Sequence, residues 1–279
     1  MDKKELMLKC KKSAIEIRKD IIEMTYSMGS VGAHAGGAMS MAEILSVLYL
    51  GVMNYDPNNT RMPERDRFVL SKGHGVMALY AALKQIGVIK DLSTFKKNDT
   101  VLYAHPSMNM DIGIECSSGS LGMGVSFGVG QAMALKRQNN PAHVYVVVGD
   151  GECDEGSIWE AAMSGSHFKL DNITVIVDKN QLQYDGPTDD ILSLGSLEKK
   201  WEAFGWKTYS VDGHSVEELY DALMEKCDGP KAIIANTIKG KGVSFMENNA
   251  VWHNNNLSAK TYEQAMQEQE EAYNELFTS

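Results

Sequence analysis

Cysteine is sparse in this 279-residue chain: Cys10, Cys116, Cys153 and Cys227 are scattered, with no CxxC pair and no histidine at zinc-ligand spacing. That pattern argues against a disulfide framework or a Cys-rich zinc site and predicts free thiols in a reducing compartment. Long apolar runs are missing too. No stretch approaches the ~20 residues needed to cross a bilayer, and the lysine-rich residues 1–12 lack the apolar core of a signal peptide. Positive charge is in deficit. The net charge of −10 at pH 7 argues against a nucleic-acid or anionic-membrane surface, though not against an anionic ligand held by local donors. The expectation is a soluble cytoplasmic protein. Its hydrophobic content, 43%, suffices for a sizeable core.

What is present is an alternation of strands and helices. Leu8, Ala14, Ile15, Ile21, Ile22 and Met24 recur near helical period and predict a helix over residues 4–28, ended by a glycine-rich stretch. Residues 40–50 read as a second helix, with Ser40 as N-cap and Glu43 at the capping-box position. A short strand at 67–71 runs into Lys72-Gly73-His74-Gly75 and a helix over 76–86. Residues 91–119 show no period, and a loop that long is usually functional. The glycines of 121–137 suggest a helix packed closely on a neighbour. Residues 144–148 are a continuous β-branched run, as expected of a central parallel strand covered on both faces. Helices at 155–168, 197–204 and 216–227 then alternate with strands at 173–177, 206–211 and 232–237. This order predicts a single α/β domain over residues 1–279, a doubly wound parallel sheet with helices on both faces. It begins with a helical segment and ends with a solvated helix at 262–277.

Ligands of such sheets bind beyond the carboxyl ends of the strands. Those ends carry Gly149-Asp150-Gly151 and Asp178-Lys179-Asn180, a carboxylate and an amide oxygen directed at one crevice. Both are hard ligands suited to Mg²⁺ that shares its octahedron with phosphate oxygens. Gly151 permits close backbone approach to a phosphate, and the helix beginning near Glu155 aims its N-terminus there. Taken alone, both features also suit ordinary turns.

The stretch from Gly149-Asp150-Gly151 to Asn180 resembles the diphosphate-binding signature of thiamin-diphosphate enzymes. Four further segments are similar to transketolases: Gly32-Ala33-His34-Ala35-Gly36-Gly37, Ser71-Lys72-Gly73-His74-Gly75, Ala104-His105-Pro106 with Ser118-Gly119-Ser120-Leu121-Gly122, and Lys239-Gly240-Lys241-Gly242 with Trp252-His253. The resemblance runs in order over about residues 28–253. Ala35 and Ser120 depart from it, standing where many relatives have proline.

The resemblance implies a thiamin-diphosphate-binding fold of the diphosphate (PP) type, with thiamin diphosphate and Mg²⁺ as cofactors. It implies Asp150, Asn180 and the carbonyl of Leu182 as metal ligands. Gly151, His74 and His253 would be donors to the cofactor, with Gly119, Ser120 and Leu121 along its aminopyrimidine. His34, His105 and His253 would serve the ketose substrate in catalysis. Glu155 would lie at the cofactor site, and Glu155 and Glu160 at a dimer interface. His143, His167 and His214 read as structural. The implied activity is transfer of a two-carbon ketol unit from a ketose (phosphate) to an aldose.

A complete transketolase also needs a pyrimidine-binding domain with its catalytic glutamate, for which no segment is found. The resemblance therefore implies a second chain carrying the pyrimidine-binding and C-terminal domains, in an α₂β₂ assembly. The alternatives are the α subunit of a 2-oxo-acid dehydrogenase, in which the histidine set would have no purpose, and a non-catalytic thiamin-diphosphate-binding regulatory module.

Overall fold

The computed structural model describes residues 1–277. Strands β1 (Arg67–Leu70), β2 (Val144–Gly149), β3 (Ile173–Lys179), β4 (Lys207–Asp212) and β5 (Lys231–Asn236) form a parallel sheet in the order β1-β2-β3-β5-β4. Alternation within β2 explains why the sheet is covered twice. Tyr145 and Val147 enter one core with Ile176 and Ile233, against α1 (Lys3–Ser27), α2 (Gly36–Met39), α3 (Ala42–Val47), α4 (Val76–Gln85) and α9 (Val216–Met224). Val144, Val146 and Val148 enter the other with Val175 and Val177, against α5 (Met123–Arg137), α6 (Gly156–His167) and α8 (Leu197–Ala203). Burying each such side chain contributes about 1.5–3 kcal/mol. The doubly wound sheet expected from the sequence is the observed one.

Two glycines set how closely α5 lies on the sheet. A Cβ at Gly128 would stand 2.5 Å from Val146 Cγ2, and one at Gly124 would stand 2.4 Å from Ser71 Cβ. The irregular stretch after α4 holds a single helical turn, Met110–Ile112. It is pinned to the start of β1 by the buried Arg65–Glu115 ion pair and to its end by Ser118 Oγ donating to Leu70 O at 2.6 Å.

The structure corrects the expected start of the second helix. Ser40 is no N-cap and Glu43 closes no capping box. The N-cap is Met41, the helix is short, and a π turn, Leu48–Val52, continues it. Ser40 Oγ instead donates to Asp178 Oδ2 at 2.7 Å, while Glu43 pairs with Arg18 at 2.6 Å and His214 at 3.0 Å. Partners remote in sequence outcompete the local cap. A short helix, α7 (Thr188–Leu192), was not expected. The last helix, α10 (Ala259–Glu275), is less solvated than its acidic sequence suggests. Tyr262 stacks on Tyr26 at 4.3 Å, Lys19 pairs with Glu270 at 2.6 Å, and buried Gln269 donates to Gly242 O. Its inward face is aromatic and polar, which a search for aliphatic periodicity misses.

Candidate functional site

Register places the tips of β2 and β3 side by side: Gly149 pairs with Asp178, so Asp150 and Asn180 leave the sheet together. The N–H groups of Gly151 and Gln181 donate to Asp150 at 2.9 and 2.5 Å. Asn180 donates through Nδ2 to Asp178 Oδ2 at 3.1 Å and accepts the Leu182 N–H on Oδ1 at 3.2 Å. Asp150, Asn180 and Leu182 line one cavity of about 300 Å³, together with His74, Leu121 and His253. A larger open groove, about 860 Å³, runs along Met7, Leu8 and Lys11 but carries none of the motif residues. Chemistry, not size, selects the smaller one.

Two buried carboxylates hold the motifs in place. Asp178 accepts from Lys72 Nζ, Thr237 Oγ1, Ser40 Oγ and Asn180 Nδ2. Burial alone would raise its pKa, but the Lys72 ammonium and these hydrogen bonds win and lower it. Glu152 accepts from Ser71 Oγ, from Gly122 N–H at 2.8 Å and from Gly149 N–H at 3.0 Å. It thereby ties the segments around Ser71, Leu121 and Asp150 to one side chain.

The four motif histidines converge. The His34 ring lies 5.8 Å from His74, 5.8 Å from His105 and 5.5 Å from His253, and His74 and His253 stack at 5.1 Å. Burial first drives His34 down to about 4 and His253 to about 3, helped for His34 by competition with His105 for a proton and by Lys96 and Lys239, and for His253 by Lys239. His74 is lowered well below its usual value, again by burial and then the Lys72 charge, and His105 is lowered by burial and Lys96. All four are neutral imidazoles at pH 7, each able to donate at one nitrogen and accept at the other. Lys239 Nζ stands 3.0 Å from His253 Nδ1. An ammonium can only donate, so Nδ1 accepts and the His253 proton resides on Nε2.

The other expected residues fall as follows. Gly151 and Glu155 line the cavity, Glu155 exposed at its rim. A Cβ on Gly119 would lie 4.0 Å from His105 Cδ2, Ser120 is exposed beside it, and Leu121 is 36% exposed. Glu160 is on the exposed face of α6, outside the cavity. His143 bonds Thr174 Oγ1 at 2.8 Å, His214 bridges Glu43 and the Ile238 N–H, and His167 packs on Phe168. Sequence reasoning missed Lys72 and Lys239 as site residues, although both sit inside quoted motifs. Each is at most 2% exposed and lines the cavity. A lysine beside a glycine-histidine or glycine-lysine motif is the only signal, and it does not reveal burial.

The donor set fits Mg²⁺ and a diphosphate. Asp150 is pushed up to about 6 by burial and by the charge of Asp178, the state of a carboxylate short of positive charge. Among the described residues no group of three or more His, Cys, Asp and Glu could hold a metal, so beyond the Asp150 carboxylate a cation here depends on amide, carbonyl and phosphate oxygens. A Cβ at Gly151 would sit 2.6 Å from Gln183 Oε1, a buried oxygen without a hydrogen-bond partner. The glycine keeps open a polar cradle.

Fold and site together define a thiamin-diphosphate-binding domain of α/β type. The chain matches the family described as the transketolase, thiamine diphosphate binding domain over residues 12–276, and it belongs to that family. It is 44% identical over 259 residues to the 6-deoxy-6-sulfo-D-fructose transketolase subunit SqwG of Clostridium sp., covering 91% of this chain and 94% of that one. It is 40% identical over 264 residues to one of the subunits of the apulose-4-phosphate transketolase of Phocaeicola vulgatus, covering 93% of each. The crystal structure of transketolase from Campylobacter jejuni superposes with a TM-score of 0.84 at 28% identity, covering 97% of this chain. This chain spans only 43% of that transketolase, whereas it matches the separate subunits nearly end to end.

Proposed function

We propose that the chain is a single diphosphate-binding domain that works with a second chain in ketol transfer from a ketose to an aldose. The observation that carries the reading is a cluster of four neutral histidines, His34, His74, His105 and His253, of which His74 and His253 line the cavity that holds Asp150, Asn180 and Leu182. Asp150, Asn180 Oδ1 and the Leu182 carbonyl would hold Mg²⁺. The Gly151 N–H and His74 would face the diphosphate, and Leu121 with the 119–120 turn would lie along the aminopyrimidine. When bound, thiamin diphosphate supplies the thiazolium C2 carbon that carries the two-carbon unit between sugars.

The chain's own part is to bind and orient the sugar and to move its protons. His34, His105 and His253, neutral near pH 7, can each donate to one sugar oxygen and accept from another. His253 presents Nε2–H because Lys239 holds Nδ1. The two named relatives act on a sulfonated and a phosphorylated sugar, which supports a ketose with an anionic terminus as substrate. Leu121, which lines the cavity, and Met123 two residues on are both exposed, which supports cover from a partner chain, read here as the pyrimidine-binding and C-terminal domains in an α₂β₂ cytoplasmic assembly. Glu155 and Glu160 would lie at the interface between copies. A polyol-binding histidine set disfavours the 2-oxo-acid dehydrogenase reading.

The test is to purify the tagged chain from its native cell and weigh what co-purifies. A stoichiometric chain with a pyrimidine-binding domain, and ketol transfer by the pair with thiamin diphosphate and Mg²⁺, supports the proposal. A homo-oligomer without such activity defeats it.

A further inference from the structure

Lys239 is 2% exposed, and its ammonium donates to the Leu182 carbonyl at 2.9 Å while contacting His253 Nδ1 at 3.0 Å. Its stem is confined: a Cβ on Gly36 would stand 3.1 Å from Lys239 Cγ and 2.7 Å from the Trp252 carbonyl. With the stem packed against backbone, a change of partner has to come from the ammonium end. The carbonyl it occupies is the backbone oxygen assigned to Mg²⁺ under the proposed function, on which this inference rests.

We infer that Lys239 is an internal stand-in cation which competes with the divalent metal for the Leu182 carbonyl and makes metal binding depend on the diphosphate. Mg²⁺ needs its oxygens at about 2.0–2.1 Å, so metal and ammonium on one carbonyl would be close neighbours of like charge. Lys72 is already matched to Asp178, so the obstacle is local: the Lys239 ammonium sits on the one carbonyl the metal needs. A diphosphate changes the balance, because its oxygens offer the displaced ammonium a new anionic partner within the same cavity. Metal and diphosphate then bind cooperatively, each favouring the other by the same factor.

The experiment is a Mn²⁺ titration of the purified chain followed by electron paramagnetic resonance, with and without thiamin diphosphate, for wild type, Lys239→Met and Asp150→Asn. Lys239→Met is expected to bind Mn²⁺ alone about tenfold tighter than wild type, and thiamin diphosphate should enhance Mn²⁺ binding about tenfold less in the variant. Equal or weaker binding of Mn²⁺ alone by Lys239→Met overturns the inference. Lys239→Gln, which keeps a donor without the charge, should fall on the side of Lys239→Met and serves if the methionine variant does not fold. Asp150→Asn should abolish Mn²⁺ binding. If it does not, or if no variant binds Mn²⁺ even with thiamin diphosphate, the metal site itself is wrong and the inference falls with it, an outcome distinct from tight binding unaffected by residue 239.

Discussion

Ser40 Oγ lies 2.7 Å from Oδ2 of Asp178, a hydroxyl brought across 138 positions of chain onto a fully buried carboxylate. Lys72, Asn180 and Thr237 donate to the same carboxylate. Segments that each carry a piece of the site thus meet on one side chain that faces no substrate itself.

Removing Asp178 should therefore cost stability before it costs chemistry. Asp178→Ala leaves Lys72 buried without its counter-charge, and breaking such a pair costs about 3–5 kcal/mol. The double variant Lys72→Met/Asp178→Leu should recover much of that loss. Urea denaturation of the three chains checks this, and equal losses in single and double variants would refute it.

Asp150 should behave in the opposite way. Its charge is buried and poorly compensated, so Asp150→Asn is expected to leave the melting temperature of the cofactor-free chain unchanged or higher. Mg²⁺-dependent binding of thiamin diphosphate, followed by calorimetry, should weaken at least about tenfold. A destabilised variant with normal cofactor affinity would reverse the assignment.

Acid should weaken the fold through its histidines. His143 and His34 titrate near 4 in the folded chain and near 6.5 when unfolded. The unfolded state therefore binds more protons between those values, and stability falls as pH drops from about 6.5 to 4. His143, nearly enclosed, should contribute about 2 kcal/mol of loss by pH 5, and the more open His34 less. Asp150 acts oppositely between about 4 and 6, since its raised pKa lets the folded state take up a proton first. Denaturation of wild type and His143→Gln at pH 7 and pH 5 measures the difference. A wild-type stability no lower at pH 5 would contradict the assignment.

His34 stands among the other three histidines and should matter for rate more than for fold. In the complex with its partner chain, His34→Ala is expected to lower kcat/KM by about 10²- to 10⁴-fold. Mg²⁺-dependent cofactor affinity should stay within a few-fold of wild type. A loss confined to cofactor binding would move His34 out of the substrate site.

Much of this was legible in the sequence. The β-branched run of β2 announces burial on both faces, and Asp150 and Asn180 follow strands whose ends are readable from local pattern. The failures share a cause. Ser40 and Glu43 match a capping box by spacing, yet their partners are Asp178, Arg18 and His214. Lys72 and Lys239 lie within recognised motifs, but a lysine reads as solvated until the fold encloses it. Gln269 reads as surface and is buried against Gly242.

The sequence by itself determined the order and type of the strands and main helices, the residues at the strand tips and the family to which the chain belongs. These depend on period, turn chemistry and spacing, which are local. Only the tertiary structure decided which partner each polar group takes: Asp178 and Glu152 as clasps between motifs, His34 at the centre of four rings, Lys239 on the Leu182 carbonyl. Those choices follow from burial, which removes water as a competing partner and makes each enclosed charge depend on atoms far away in the chain.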